Sequence, residues 1–171
     1  TFYAGQEPRV ADGGAYLEHL RQEQAINRAV LESAELGLAG MAARPLAALD
    51  GALSELAPAI GDRIARGLIV EGHGDLRPEH VFIGERIQII DCLEFNRSMR
   101  IIDPHDEVNY LALECEMLGA SEARELLCGI VAERIGNEPQ PHLLALYRAF
   151  RALLRARLTI AHLLEKPVRK P

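Results

Sequence analysis

The run His73-Gly-Asp-Leu-Arg-Pro-Glu-His80, followed by Ile89-Ile-Asp-Cys-Leu-Glu94, sets two aspartates at the ends of apolar segments. Phosphoryl transfer asks for such a pair: one carboxylate to position the attacking hydroxyl, another to hold the Mg²⁺ that bridges the nucleotide phosphates. Asp75 and Asp91 fit those two tasks. Asp75 follows Leu68-Ile-Val70 in a turn bracketed by Gly72 and Gly74, where backbone can pass close to a ligand. Asp91 ends a second apolar run, Ile87 to Ile90.

The elements that must position these groups read as strand, loop and short hairpin. Val81-Phe-Ile83 is expected to pair with Ile87-Gln-Ile-Ile90 across Gly84-Glu85-Arg86, a short connection with the glycine such turns favour. The pairing is expected to bring both carboxylates to one end of a small sheet. Elsewhere the pattern is helical. Asp12 is placed to cap a helix from about Gly13 to Leu36, with Leu17, Leu20, Ile26, Val30 and Leu31 as its apolar stripe and Gly37 as its stop. Pro45 is placed to open a second helix running to about Arg66, ended by Gly67, with Pro58 kinking or splitting it. Two helices follow at about 104 to 118 and 121 to 135, with Ser121 as a cap and Gly119 and Gly136 as terminators; Pro141 starts a last helix reaching about Leu164.

The segment HGDLRPEH resembles the catalytic loop of the aminoglycoside phosphotransferase group within the protein-kinase-like superfamily, and is similar to the H-R-D-L-x-x-x-N loop of protein kinases. IIDCLEF resembles the metal-binding strand end of that group. Asp103-Pro-His-Asp-Glu107-Val, before Tyr110-Leu-Ala-Leu, resembles its DPxxDLA signature. Three matches in order carry more weight than any one alone. A lone aspartate after a strand is ordinarily a turn residue or a helix cap; here both fall inside matched motifs.

The resemblance covers nearly the whole chain and implies a mainly α (α+β) fold, a protein-kinase-like C-terminal lobe whose small β-hairpin carries the site, with residues 1–171 as a single domain. It makes Asp75 the catalytic base and Asp91 the principal Mg²⁺ ligand, with ATP or GTP as co-substrate and a small hydroxylated molecule as acceptor. Arg77 would offer a cation to the transferring phosphoryl group, a task suited to a permanently charged, two-pronged donor. His73 would be structural, bonding backbone beside the metal strand. Asp103 would anchor the catalytic loop by accepting its backbone hydrogen bonds. Glu107 takes the place of the signature's second aspartate, with Asp106 an adjacent alternative, and Glu94 is a further supporting residue.

His80 departs from the pattern, which has asparagine there as a second metal ligand. Imidazole suits softer ions than Mg²⁺, so the expectation is a nucleotide- or metal-facing His80 in a one-metal or Mn²⁺-tolerant site, or one that contacts phosphate or leaves the position to water. The same wording resembles a bacterial branch of uncharacterised phosphotransferase-like proteins, some fused to a P-loop ATPase domain. No glycine-rich loop or strand lysine precedes residue 70, the first lysine being Lys166, and the chain opens on Thr1-Phe-Tyr without methionine. The expectation is therefore a lobe whose ATP-binding N-terminal partner is absent from this chain, inactive alone and active in the intact parent. A catalytically inactive, kinase-like regulatory or binding module is the alternative.

Composition bounds these readings. With 49% apolar residues in 171, the chain can build a core. No apolar run is long enough to span a bilayer, and no signal-peptide pattern opens the sequence. Cys92, Cys115 and Cys128 lack paired spacing, which points to buried thiols in a reducing cytoplasm and away from zinc or disulfides. The net charge is −6, and the stretch from Gln140 onward is basic, so an acidic body could steer a cationic substrate. Within that stretch Leu146, Phe150, Leu153, Leu154 and Leu158 are expected to pack the lobe, with the arginines at its rim; one of Arg151 and Arg155 could still reach the site. No aromatic platform accompanies them, so neither nucleic acid nor membrane is expected as a partner.

Overall fold

The computed structural model describes residues 10–162. Among these the fold is mainly helical. It runs α1 (Val10–Leu31), α2 (Ala39–Glu55), α3 (Ala57–Ala65), β1 (Val70–Glu71), β2 (Val81–Ile83), β3 (Ile87–Ile89), β4 (Ile101–Ile102), α4 (Pro104–Met117), α5 (Ala123–Ile135) and α6 (Pro141–Ala161). The strands form two separate antiparallel pairs, β1 with β4 and β2 with β3. The hairpin has the register read from the sequence, Val81 opposite Ile89 and Ile83 opposite Ile87. The expected single sheet end is corrected: Asp75 follows β1 and Asp91 follows β3, in different sheets.

Helix ends follow their glycines and prolines where local chemistry decides, and depart where packing does. Gly67 at φ 68° closes α3, its amide bonding the Ile64 carbonyl while Leu68 bonds that of Arg63. Gly119 at φ 98° does the same for α4, with bonds to Glu116 and, through Ala120, to Cys115. Both satisfy carbonyls that a helix end leaves open, in a conformation costly for other residues. Pro58 starts α3 after a break at Leu56, as a residue without an amide proton should.

Five expectations are revised. Asp12 lies within α1, not at its cap, and α1 stops at Leu31, which is buried against Ala42 and Leu46 of the returning α2. Ile26, expected in the stripe, is 46% exposed. Pro45 sits inside α2, on its exposed face, where water can reach the carbonyl that its missing amide leaves unbonded. Ser121 lies outside α5, whose cap position is Glu122. The expected end of α6 at Leu164 falls outside the described residues.

Helix α6 packs on α1, α2 and α4. Its Leu143, Leu146, Tyr147 and Phe150 join Tyr16, Leu20, Leu49, Ile60 and the β1–β4 pair in the main core. Arg151 and Arg157 are buried, not at the rim, while Leu158 is 42% exposed. Each cysteine is half-buried, where full burial was expected. No helix among the described residues is long and apolar enough to cross a membrane.

His105, 2% exposed on the first turn of α4, faces Asp103, Arg63, Glu138 and the Gly136 carbonyl. Burial pushes its imidazole below the ordinary value of 6.5 despite the pull of Asp103. The unfolded chain therefore takes up a proton near pH 6.5 that the native chain refuses, and stability present above that pH is lost as pH falls through the depressed value. Urea midpoints are expected to drop between pH 7.5 and 5.5, and His105→Gln is expected to shrink that drop.

Candidate active site

The Gly72–Asp75 turn is fixed from beneath by one carboxylate. Glu107, on the first turn of α4 and 1% exposed, accepts the backbone N–H of His73 at 2.9 Å and that of Gly74 at 2.5 Å. A Cβ on Gly72 would meet Glu107 Oε2 at 2.5 Å, and one on Gly74, at φ 89°, would meet the Met99 carbonyl at 2.7 Å. Both glycines are thus required by close approach, Gly74 also by its backbone conformation. The role expected of Asp103 belongs to Glu107. Asp103 instead accepts from Arg63, from the Tyr147 hydroxyl at 2.9 Å and from the His105 amide at 2.9 Å. It caps α4 and ties that helix to α3 and α6, too deep to reach the loop.

His73 does what the resemblance implied. Its Nε2–H donates to the Ile90 carbonyl at 2.7 Å, joining the loop of residues 73–80 to the residue before Asp91, and its Nδ1 accepts from the Asp75 amide at 3.3 Å. The Leu93 amide returns a bond to the His73 carbonyl at 3.2 Å. The segment after Asp91 is clamped to β1 by Glu71, which accepts from Arg100 at 2.6 Å and Arg97 at 3.1 Å. Those bonds, Arg100's first, hold the Glu71 carboxyl below the usual carboxylate range.

His80 stacks on His73, ring centroids 5.4 Å apart. Its Nδ1–H donates to the Asp75 carbonyl at 2.8 Å, so in the neutral ring the lone pair lies on Nε2. Nε2 is 3.5 Å from Asp91 Oδ2 and 3.5 Å from an Arg77 nitrogen. Two donors held about 2.1 Å from one ion at a tetrahedral angle stand about 3.4 Å apart. The His80 Nε2–Asp91 Oδ2 distance is compatible with two donors facing one cation, although no group of three or more His, Cys, Asp or Glu side chains placed to hold a metal ion occurs among the described residues. Asp91 adopts φ 62°, and its side chain is 79% exposed. Glu94 is also exposed, and its carboxylate meets the Cys92 thiol at 4.0 Å without reaching the catalytic loop.

Arg77 brackets Asp75. Its Nε and one terminal nitrogen lie 3.2 and 3.1 Å from Asp75 Oδ2, and its other terminal nitrogen is 2.6 Å from Glu79. Burial works against the guanidinium charge, but the Asp75 and Glu79 carboxylates raise its pKa overall. Asp75 Oδ1 has no part in these contacts. Burial, helped by Asp75's charge, pushes the Tyr110 hydroxyl up to about 12.

Beside Asp75 opens a cavity of about 250 Å³ between α1, α6 and the loop, with Gly74, Asp75, Asp106 and Arg151 on its wall. Asp106 is fully buried; it takes Arg151 at 2.8 and 2.7 Å and the Tyr16 hydroxyl at 3.0 Å. Of the two arginines singled out, Arg151 reaches the cavity wall, while Arg155 pairs with Glu114 at 3.0 Å. Sequence reading missed the Glu107 anchor and the Asp106–Arg151–Tyr16 cluster. The available signal was three acids at positions 103, 106 and 107, one face of a helix start, inside an otherwise apolar stretch.

Three curated mycobacterial proteins, one from Mycobacterium bovis and two from strains of Mycobacterium tuberculosis, are 36% identical to this chain over 98 residues. Each bears the name "uncharacterized protein". The match covers 56% of this chain and 20% of each relative, so the chain spans about a fifth of the length of the curated relatives it matches. No family model and no solved structure matches the chain.

Glu107→Gln replaces one of two acceptor oxygens by a donor that faces the His73 and Gly74 amides. The variant is expected to lose about 1–3 kcal/mol in urea unfolding. Its amide exchange at His73 and Gly74 is expected to quicken more than at α5, which a uniform destabilisation would not produce.

Proposed function

We propose that this chain is the catalytic and metal-binding part of a phosphotransferase that moves the γ-phosphoryl group of ATP or GTP to the hydroxyl of a small molecule, built as the C-terminal lobe of an aminoglycoside phosphotransferase-like protein. One observation carries the reading. Asp75 and Asp91, from different sheets, are joined through His73 to the Ile90 carbonyl and through His80, whose two ring nitrogens face the Asp75 carbonyl and the Asp91 carboxylate. This linkage supports the reading in which one carboxylate accepts a proton and the other holds a metal, the two tasks that phosphoryl transfer asks for.

Asp75 Oδ1 orients the substrate hydroxyl and takes its proton while Arg77 holds Oδ2. Arg77 also presents fixed positive charge to a transferring phosphoryl group. Asp91 and His80 hold the divalent cation, Mg²⁺ or Mn²⁺, and the nucleotide bound to it supplies the phosphoryl group. The nucleotide-covering lobe belongs to another part of a longer protein, for which the greater length of the mycobacterial relatives leaves room; that length also accommodates a fused P-loop ATPase domain. A non-catalytic, kinase-like binding module is the second reading. It is favoured by His80, an imidazole where the resemblance calls for an oxygen ligand.

In the full-length protein, Asp75→Asn is expected to cut phosphoryl transfer by about 10²–10⁴-fold while nucleotide affinity, read by calorimetry, stays the same. Transfer undiminished by Asp75→Asn, or absent from the unaltered protein at millimolar nucleotide, overturns the proposal and leaves the binding module. His80→Asn is expected to weaken Mn²⁺ binding about tenfold relative to Mg²⁺, followed by paramagnetic resonance of the bound Mn²⁺. An unchanged ratio removes His80 from the metal site.

A further inference from the structure

We infer that the cavity beside Asp75 takes a small, uncharged alcohol with an apolar body, and that a polycation is excluded from it. The inference rests on the phosphotransferase reading for its chemistry, and on the cavity wall for its ligand class. Each carboxylate on that wall already has a partner. Asp106 is matched by Arg151 and Tyr16, Glu23 by Arg157 at 2.5 Å, and Asp75 by Arg77 at 3.1 Å. The first pair is closed to solvent, with the side chains of Asp106 and Arg151 0% and 8% exposed, and the second is part-buried, with those of Glu23 and Arg157 16% and 9% exposed.

At Asp106 an amine could be neutralised only by displacing Arg151, leaving a buried guanidinium uncompensated. The carboxylates on this wall are thus matched by arginines, and the expectation of a cationic substrate rests on the overall charge of the chain alone. His19 is the remaining titratable group on the wall. Its burial outweighs the pull of Glu23 and Asp106 and keeps the imidazole below its ordinary value, so near neutral pH it offers an uncharged donor and acceptor.

Much of the rest of the wall is apolar, with Leu20, Leu93, Phe150 and Leu154 among its residues. The space of about 250 Å³ is roomy enough for a small organic molecule and is not merely a site for one or two waters. Such a molecule lays its apolar part on the leucines, presents one hydroxyl to Asp75 and can offer a second polar group to His19. In the transfer, the hydroxyl oxygen forms the new bond to the γ-phosphorus. The bond from that phosphorus to the β–γ bridging oxygen breaks, its electron pair leaving on the nucleoside diphosphate, and the hydroxyl proton passes to Asp75.

The test is saturation-transfer NMR on the full-length protein with two hydroxylated probes, trans-1,2-cyclohexanediol and kanamycin, a polycation, each without nucleotide. Cyclohexanediol is expected to bind and kanamycin not to. Leu158→Trp adds bulk at a cavity-wall residue that is 42% exposed, so the fold can accept it. It should reduce the cyclohexanediol signal at least about fivefold with the circular dichroism spectrum unchanged. Kanamycin binding, binding of neither probe, or cyclohexanediol binding indifferent to Leu158→Trp overturns the inference.

Phosphoryl transfer is scored separately on both probes. Transfer to kanamycin and not to the diol would overturn the ligand assignment while leaving the phosphotransferase reading intact. Diol binding with no transfer to any hydroxyl would uphold the cavity assignment and remove the phosphotransferase reading.

Discussion

Three carboxylates buried on a single helical turn set the terms for this structure. Asp103, Asp106 and Glu107 begin α4 at one, four and five positions along one face, and none is more than 1% exposed. Ions so close in an apolar interior would repel one another and give up their hydration, a combination a fold tolerates only when each gains an excellent partner. Each does, and each partner comes from elsewhere: Arg63 and Tyr147 for Asp103, Arg151 and Tyr16 for Asp106, the catalytic-loop amides for Glu107. The positive end of the α4 dipole adds a favourable field for all three. The outcome is a hub in which α1, α3, α6 and the loop are held to α4 by groups that cannot be left unpaired.

The geometry around Asp75 and Asp91 inherits its order from that hub. Glu107 fixes two successive amides, which fixes the His73 ring, which holds the Ile90 carbonyl and so the approach to Asp91. His80 returns a second link, from the Asp75 carbonyl towards Asp91. Neither aspartate needs a large sheet to be positioned. Short side chains bonding main chain are stiffer tethers than long ion pairs, because they freeze few rotatable bonds and leave the backbone little freedom.

The features legible in the sequence are those governed by local chemistry. Gly67 and Gly119 end helices because they reach positive φ, Pro58 divides one, and the Gly84 connection sets the register of the hairpin. The backbone bond of His73 was expected from the motif's resemblance and not from local chemistry. What the sequence hides is decided by partners far along the chain. Nothing near Arg151 says that it is buried, since its mate Asp106 lies in another helix, and an arginine in an amphipathic stripe ordinarily reads as a rim residue. The same holds for Asp103 and Glu107: the motif puts an acid at each position, but only the packing of α3 and α6 decides that Asp103 meets Arg63 and leaves the loop to Glu107. Leu31 shows the effect on an element boundary, since α1 ends where α2 must fold back and short of the glycine that could have stopped it.

The two halves of the site are not held equally. Asp75 follows a strand in the main core and rests on the buried α4 hub. Asp91 follows a two-stranded hairpin whose Phe82, Ile83, Ile87 and Ile89 are all more than half exposed. An isolated hairpin is marginal in water, and a segment with little buried apolar surface belongs to the least stable part of a fold. What keeps this hairpin in register with the catalytic loop is polar: the Ile90 amide to the His80 carbonyl at 3.0 Å and His73 to the Ile90 carbonyl at 2.7 Å. The Asp75 half is therefore preorganised by the core, while the Asp91 half depends on a few hydrogen bonds and on whatever reaches its exposed apolar face. In such a design, a ligand that bridges Asp91 and His80 strengthens the weaker tether, and ordering of the hairpin and binding of the cation favour each other.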